Sequence, residues 1–323
     1  MNALVTGASG FCGTHLLRLL HREGVRVFTH GPEKGILGEH LDSSIHDLSA
    51  LVDFVAQAEP NYVLHLAGIA RASHFADFYS VNTLYAAHLL QALKLAGRRE
   101  APVLLVGTSA EYGWVETHEL PITEGNDTRP YDHYGISKLA QTQMGLVLAR
   151  MGRRAVMVRP FNIIGRCMGD HLSVKSFALQ VAEIVIGKRP PAISVGNLSS
   201  FRDFVNVEEV VEVYWKLIQT PATYGQIFNI CSGKPTLIND VLQRLISFSG
   251  KSIEIKEDRA LFRPADIPIH YGSPAKLQAV LGMIPSREID ETLKEILDES
   301  VAGLRNDTQE NPRLVQRIDK TAF

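Results

Sequence analysis

An α/β fold, a doubly wound parallel sheet with a smaller C-terminal α/β substrate-binding lobe, is predicted for this chain by three observations. Short apolar runs alternate with helical patterns through the first half, the order that a parallel sheet covered by helices requires. The first run, Asn2 to Thr6, ends in a glycine turn, Gly7-Ala8-Ser9-Gly10-Phe11-Cys12-Gly13, that opens a helix. At 323 residues, 45% hydrophobic and 21% charged, the chain is long enough for a large core with an added lobe.

Each element follows in order. Behind the glycine turn, Leu16, Leu17, Leu19 and Leu20 fall at helical spacing up to Gly24. Strand, turn and helix are the setting in which a glycine fingerprint binds a dinucleotide. Gly7 permits the tight turn, Gly10 lets backbone approach a pyrophosphate, and Gly13 lets the helix pack closely on the strand. The anion would rest on the helix N-terminus, with Ser9 and Phe11 in the same cradle. These features make the fold Rossmann-type, with the spacing GxxGxxG.

Val25 to Thr29 is the second strand, and its end, His30-Gly31-Pro32, carries no acid for a ribose 2′-OH. Lys34 is the nearby cation, so the cofactor is NADP(H) or NAD(H), leaning towards NADPH. Asp47-Leu48 opens the next helix; the carboxylate could reach an adenine amino group or cap the helix. Asn61 to Gly68 is the third strand, its end Leu66-Ala67-Gly68 small enough to leave room for a cofactor. A helical pattern runs from about 74 to 96 and contains Asn82, whose amide can brace the pocket or satisfy backbone groups. Val103 to Val106 is the fourth strand and places Thr108 at the sheet's C-terminal edge, where open parallel sheets build their sites.

Tyr134 and Lys138 lie four apart at the start of a helix expected over 134–151. That spacing puts both on one face, where the ammonium would lower the phenol's pKa and ready it for proton exchange. The fifth strand, Ala155 to Val158, leads to Arg159-Pro160-Phe161-Asn162. Beyond it we expect a loop over 166–172, helices over 177–186, 207–217 and 237–248, and a strand over 227–230. Short strands are expected at Val195-Gly196-Asn197 and Phe201 to Val205, a loop over 259–266, and short helices over 274–281 and 290–297. Residues 1–165 then form the dinucleotide domain and 166–302 mainly the substrate lobe, with about 206–231 returning to the first domain. Residues 303–323 are expected to be a polar, disordered tail.

The bulk numbers exclude several classes. A formal net charge of -2 gives no footprint for nucleic acid. No apolar run approaches the roughly 18 residues of a membrane span. Cys12, Cys167 and Cys231 sit far apart with no metal-ligand spacing, and no charged, apolar leader precedes the first strand. A cytoplasmic protein without a metal is expected.

With the glycine turn, Thr108, Tyr134 and Lys138 placed in that order, the chain resembles the extended short-chain dehydrogenase/reductases that act on nucleotide sugars. The resemblance implies that Thr108 bonds the sugar's C4 oxygen, Tyr134 donates a proton, and Lys138 holds the nicotinamide ribose. Arg159-Pro-Phe-Asn162, Val195-Gly-Asn-Leu198, Arg202-Asp-Phe204, Phe228 to Gly233 and Arg263-Pro-Ala-Asp266 look like the reductases of GDP-4-keto-6-deoxymannose, which make GDP-rhamnose. By that similarity Ser109, Glu111, Asn162, Asn197, Arg202 and Arg263 would line the sugar-nucleotide pocket, the arginines on its diphosphate. Ser109 is the alternative hydroxyl to Thr108. The related 4,6-dehydratases carry an acid two positions after the threonine, where this chain has Ala110, the acid being displaced to Glu111. Gly165-Arg166-Cys167 lacks the proline often found there. A C4 reductase consuming NAD(P)H is therefore expected, ahead of an epimerase or dehydratase with bound NAD and of a non-catalytic cofactor sensor. A homodimer through the 74–96 and 134–150 helices is implied as well.

Overall fold

The computed structural model describes residues 1–262 and 267–310. In order, the elements are β1 (Asn2–Thr6), α1 (Phe11–Arg22), β2 (Arg26–His30), β3 (Glu39–Leu41), α2 (Leu48–Ala58) and β4 (Tyr62–His65). Then come α3 (Phe75–Tyr79), a π turn (Ser80–Leu84), α4 (Tyr85–Leu95), β5 (Val103–Val106), α5 (His133–Arg150), β6 (Ala155–Pro160) and β7 (Asn162–Ile164). The rest comprises α6 (Ser173–Val185), β8 (Ala192–Val195), β9 (Phe201–Asn206), α7 (Val207–Gln219), β10 (Ile227–Ile230) and β11 (Pro235–Leu237). It closes with α8 (Ile238–Ser249), β12 (Glu254–Glu257), β13 (Ile269–His270), α9 (Ala275–Leu281) and α10 (Ile289–Glu310).

The chain divides into two compact units. The first holds Met1–Ile163, Asp203–Lys234 and His270–Ser286. Its seven-stranded sheet runs β10-β6-β5-β4-β1-β2-β3, every neighbouring pair parallel. The strand order reverses between β1 and β4, which leaves a crevice at their carboxyl ends. On one face α1 and α7 bury Leu16, Leu17, Leu20, Val210, Val213 and Leu217 against the sheet. On the other, α2 and α4 bury Leu51, Phe54, Val55, Leu89 and Leu93. Two apolar faces explain why the strands read as continuous apolar runs. The edge strand β3 is only three residues long and half-exposed, and such a stretch carries no apolar periodicity to betray it.

The second unit holds Ile164–Arg202, Pro235–Ile269 and the chain from Arg287. Within it β8 pairs with β12 in parallel, and α6 packs against α8 and α10. Residues 303–310, expected in the disordered tail, instead continue α10. Leu293, Ile296, Leu297 and Ser300 are buried at helical spacing, and a helix anchored by such a stripe extends at little further cost. Residues 311–323 lie outside the described residues. Among the described residues no helix is long and apolar enough to cross a membrane.

Candidate functional site

The last residues of three adjacent strands form a polar row beneath the crevice. Register pairs Thr6 with both His30 and His65, and all three are buried. Thr6 Oγ1 lies 2.7 Å from His65 Nδ1, while His30 meets Tyr85 at 2.6 Å and Ser43 at 3.0 Å. Burial keeps both rings neutral, with His30 lowered to about 4 and His65 to about 3. The end of β2, where a carboxylate would bind a ribose, thus presents a neutral imidazole already bonded within the protein. Asp47 resolves as the cap of α2, its carboxylate accepting from Ala50 N at 3.0 Å, with Leu48 the helix's first residue.

Above that row the glycine turn makes its closest approach to the end of β4. Gly7 has φ +70, and a Cβ there would lie 2.6 Å from the Ala67 nitrogen. A Cβ at Gly13 would lie 2.1 Å from the Gly7 carbonyl oxygen, so only glycine lets α1 start so near β1. Ser9, Gly10 and Gly68 are exposed along this edge, with Phe11 and Leu66 half-buried and Ala67 beneath. A crevice floor cleared of side chains, under the N-terminus of a twelve-residue helix, fits a dinucleotide pyrophosphate.

Lys138 is buried and donates to Ala67 O at 3.2 Å, Val106 O at 2.9 Å and Gln141 Oε1 at 3.2 Å. A Cβ on Gly68 would meet its Nζ at 2.7 Å. Burial lowers this ammonium to about 8, and Glu111 works the other way. Asn82 sits in the π turn and braces the same loop, donating to Ile69 O at 3.0 Å and to Ser137 Oγ at 2.9 Å and accepting from Ile69 N at 2.8 Å. π turns insert one extra residue into a helix and occur at functional sites; here the insertion aims Asn82 inward.

Thr108 caps the 3₁₀ turn Ser109–Glu111 after β5 and is nearly buried beside Ser109. The half-buried Tyr134 stands at the start of α5, close enough to the Thr108 side chain for that hydroxyl to favour its phenolate. The structure therefore brings the threonine, the tyrosine and the lysine to the crevice edge from two elements. The expected pKa shift does not hold: burial raises the Tyr134 phenol, Glu111, Asp132 and Cys12 add to that, and only the Thr108 side chain opposes it. Burial is the largest influence, because a phenolate loses more hydration than a phenol when it leaves water.

Glu111 is also corrected. It was expected to face a substrate, yet it is 0% exposed and all its contacts are internal. Its Oε1 accepts from Thr108 N and Thr142 Oγ1, both at 3.0 Å, and its Oε2 from Arg159 Nε at 2.8 Å. Asn162 is exposed at the start of β7. In the second unit, the Asn197 side-chain oxygen closes its own turn, accepting from Ser199 N at 2.9 Å and Oγ at 2.7 Å. Arg202 donates to Phe201 O and Ile267 O, both at 2.8 Å. Arg263 lies outside the described residues.

Sequence reasoning missed Gln141, Thr142 and Arg159. A signal existed for the first two: Ser137, Lys138, Gln141 and Thr142 are polar residues recurring on one helical face, and all are buried.

The profile of the NAD dependent epimerase/dehydratase family matches residues 3–231. The chain belongs to that family. Membership makes it an NAD(P)-dependent oxidoreductase-type enzyme, in keeping with the cleared crevice. Within the family, the chain is 30% identical over 308 residues to GDP-6-deoxy-D-mannose reductase of Pseudomonas aeruginosa, spanning 94% of this chain and 98% of that one. It is 30% identical over 287 residues to GDP-6-deoxy-D-talose 4-dehydrogenase of Aggregatibacter actinomycetemcomitans, spanning 87% and 92%. Among solved structures it resembles RMD from Pseudomonas aeruginosa complexed with NADPH, at TM-score 0.84 and 29% identity, covering 94% of this chain and 99% of that one. The fold is shared by Thermus thermophilus UDP-glucose 4-epimerase in complex with NAD, at TM-score 0.80 and 24% identity, covering 93% and 99%.

Proposed function

We propose that this protein is a nucleotide-sugar 4-keto reductase, acting on a GDP-4-keto-6-deoxyhexose and giving a GDP-6-deoxyhexose such as GDP-rhamnose. The observation that carries this reading is the direction of Glu111. The acid nearest to Thr108 in sequence is buried against Arg159, and Ala110 stands where a dehydratase acid would. A chain without an acid to protonate a leaving hydroxyl keeps the simpler chemistry of the shared tyrosine.

The nicotinamide, when bound, supplies the hydride. Gly7, Ser9, Gly10, Phe11, Gly13 and the loop Leu66-Ala67-Gly68 would hold its dinucleotide, with Asp47 and Leu48 towards the adenine. Lys138 and Asn82 would order the ribose end. Thr108 would bond the C4 oxygen, and Tyr134 would give its proton to the oxygen that becomes the C4 hydroxyl. Its raised pKa suits that direction, because the phenol enters the reaction protonated. Ser109, Asn162, Asn197, Arg202 and Arg263 remain the proposed sugar-nucleotide contacts. The two GDP-sugar relatives support the base. NADPH should serve at least as well as NADH, since the end of β2 offers a neutral His30 and no carboxylate to repel a 2′-phosphate. Three widely separated free cysteines fit a reducing cytoplasm.

The test is to incubate purified protein with reduced cofactor and GDP-4-keto-6-deoxymannose. Stoichiometric oxidation of the cofactor with formation of a GDP-6-deoxyhexose is the expected result. Turnover of a nucleotide sugar with no net cofactor oxidation would identify an epimerase or dehydratase instead. A marked preference for NADH in initial rates would overturn the cofactor assignment.

A further inference from the structure

We propose that Glu111 is a positioning residue that sets the separation between Thr108 and helix α5 by bonding both, with Arg159 as its buried counter-charge. This rests on the assignment of Thr108 and Tyr134 as catalytic partners, and it concerns how the protein keeps them in register.

The geometry is a three-way joint. One carboxylate oxygen accepts from the Thr108 backbone and from Thr142 Oγ1, both at 3.0 Å. Thr108 follows β5, whereas Thr142 lies on α5, two turns beyond Tyr134. The other oxygen accepts from Arg159 on β6 at 2.8 Å. Arg159 in turn lies over the Tyr112 ring at 4.5 Å, and Tyr112 OH donates to Asn229 at 2.6 Å. Gly107 is the one residue type that fits beside the joint, because a Cβ there would come within 2.1 Å of Glu111 Oε1.

Stability alone does not account for this arrangement. Buried ion pairs are often replaceable by apolar residues without loss. Here Arg159 Nη1 has no acceptor among the described residues, so the pair is not even fully satisfied. What an apolar side chain cannot supply is two directed bonds from one atom to the two elements that carry the reacting hydroxyls. The same charge bears on the proton donor. Burial acts most strongly on both groups, raising Tyr134 and lowering Lys138, and Glu111 pushes each upward, alongside Asp132 and Cys12 acting on the tyrosine. Burial raises Tyr214 on α7 well above its ordinary value, with Cys12 and then Tyr134 adding to it.

The decisive variants lie off the reacting groups. Thr142→Val removes one bond and no charge, whereas Thr142→Ser keeps the hydroxyl. We expect Thr142→Val to lower kcat about tenfold or more with KM for both substrates unchanged, since misplacement by about 1 Å can cost on the order of 10²-fold. Thr142→Ser should restore kcat. Glu111→Gln should move the alkaline limb of the kcat profile to lower pH, because Tyr134 and Lys138 both lose a neighbouring negative charge. Thr142→Val should leave that limb in place. A Thr142→Val enzyme with parental kcat, or a loss that Thr142→Ser shares, would reduce the joint to packing and overturn the proposal. An unmoved limb in a folded Glu111→Gln enzyme would overturn its electrostatic half; if that variant does not fold, the Thr142 pair decides. Tyr134→Phe is the control: if it turns over like the parent, the catalytic assignment fails, whereas its inactivity beside an active Thr142→Val fails the joint alone.

Discussion

In the proposed reduction, removing the Tyr134 hydroxyl leaves the ring in place and takes away the proton that hydride transfer to C4 would demand. Positioned acid–base catalysis contributes about 10²–10⁴-fold, so Tyr134→Phe should lower single-turnover NADPH oxidation by a factor in that range. Thr108→Ala should cost less, since the proton donor remains. Unchanged turnover in Tyr134→Phe would leave Tyr134 as a helix-end tyrosine with no part in the chemistry. Sequence spacing placed Tyr134 and Lys138 on one face correctly, but it could not show that three acceptors already hold the ammonium. The expected drop in the phenol's pKa became a rise chiefly through burial, which local spacing does not reveal.

At the scale of elements, the start of α1 and the exposed helix faces make separate predictions. Gly13→Ala drives a Cβ into backbone, 2.1 Å from Gly7 O and 2.8 Å from Ala8, so no side chain can give way. Overpacking of this kind costs about 1–3 kcal/mol, and it shifts the cradle. Both the unfolding midpoint and NADPH affinity by fluorescence titration should fall. Gly24→Ala meets nothing within 4 Å and has only its φ of +68 against it; it should lower stability by about 1–2 kcal/mol and leave NADPH affinity alone. Equal effects of the two changes on affinity would refute the role given to the cradle. On α5, Ile136 and Val147 are 40% and 50% exposed, and Leu84 by α4 is 50% exposed. We propose that a second copy covers these apolar side chains, through an interface of at least roughly 1,000 Å². A monomeric mass in light scattering at micromolar concentration would count against it.

For the molecule as a whole, the neutral histidines under the crevice couple stability to pH. His30 and His65 fall from 6.5 to about 4 and about 3 in the fold, chiefly through burial. Below pH 6.5 the unfolded chain binds protons that the folded one refuses, so stability present above 6.5 is lost as pH falls towards 4. A fully buried group contributes about 1.4 kcal/mol per pH unit in that window. Denaturant unfolding on either side of pH 6.5 should show the loss, and His65→Gln should flatten it; parallel behaviour of variant and parent would refute the assignment.

The sequence by itself determined the alternation of strand and helix, the glycine turn, and the order Thr108, Tyr134, Lys138. Each depends on spacing within a few residues, where periodicity and backbone geometry act directly. The tertiary structure alone decided where Glu111 points, since its partners Thr142 and Arg159 lie 31 and 48 positions away. It decided equally that α10 continues through residue 310, because burial of Leu293, Ile296 and Leu297 extends a helix whose later turns carry no apolar signal. Burial and distant pairing set the charge, the direction and the length of these groups, and neither is written in local spacing.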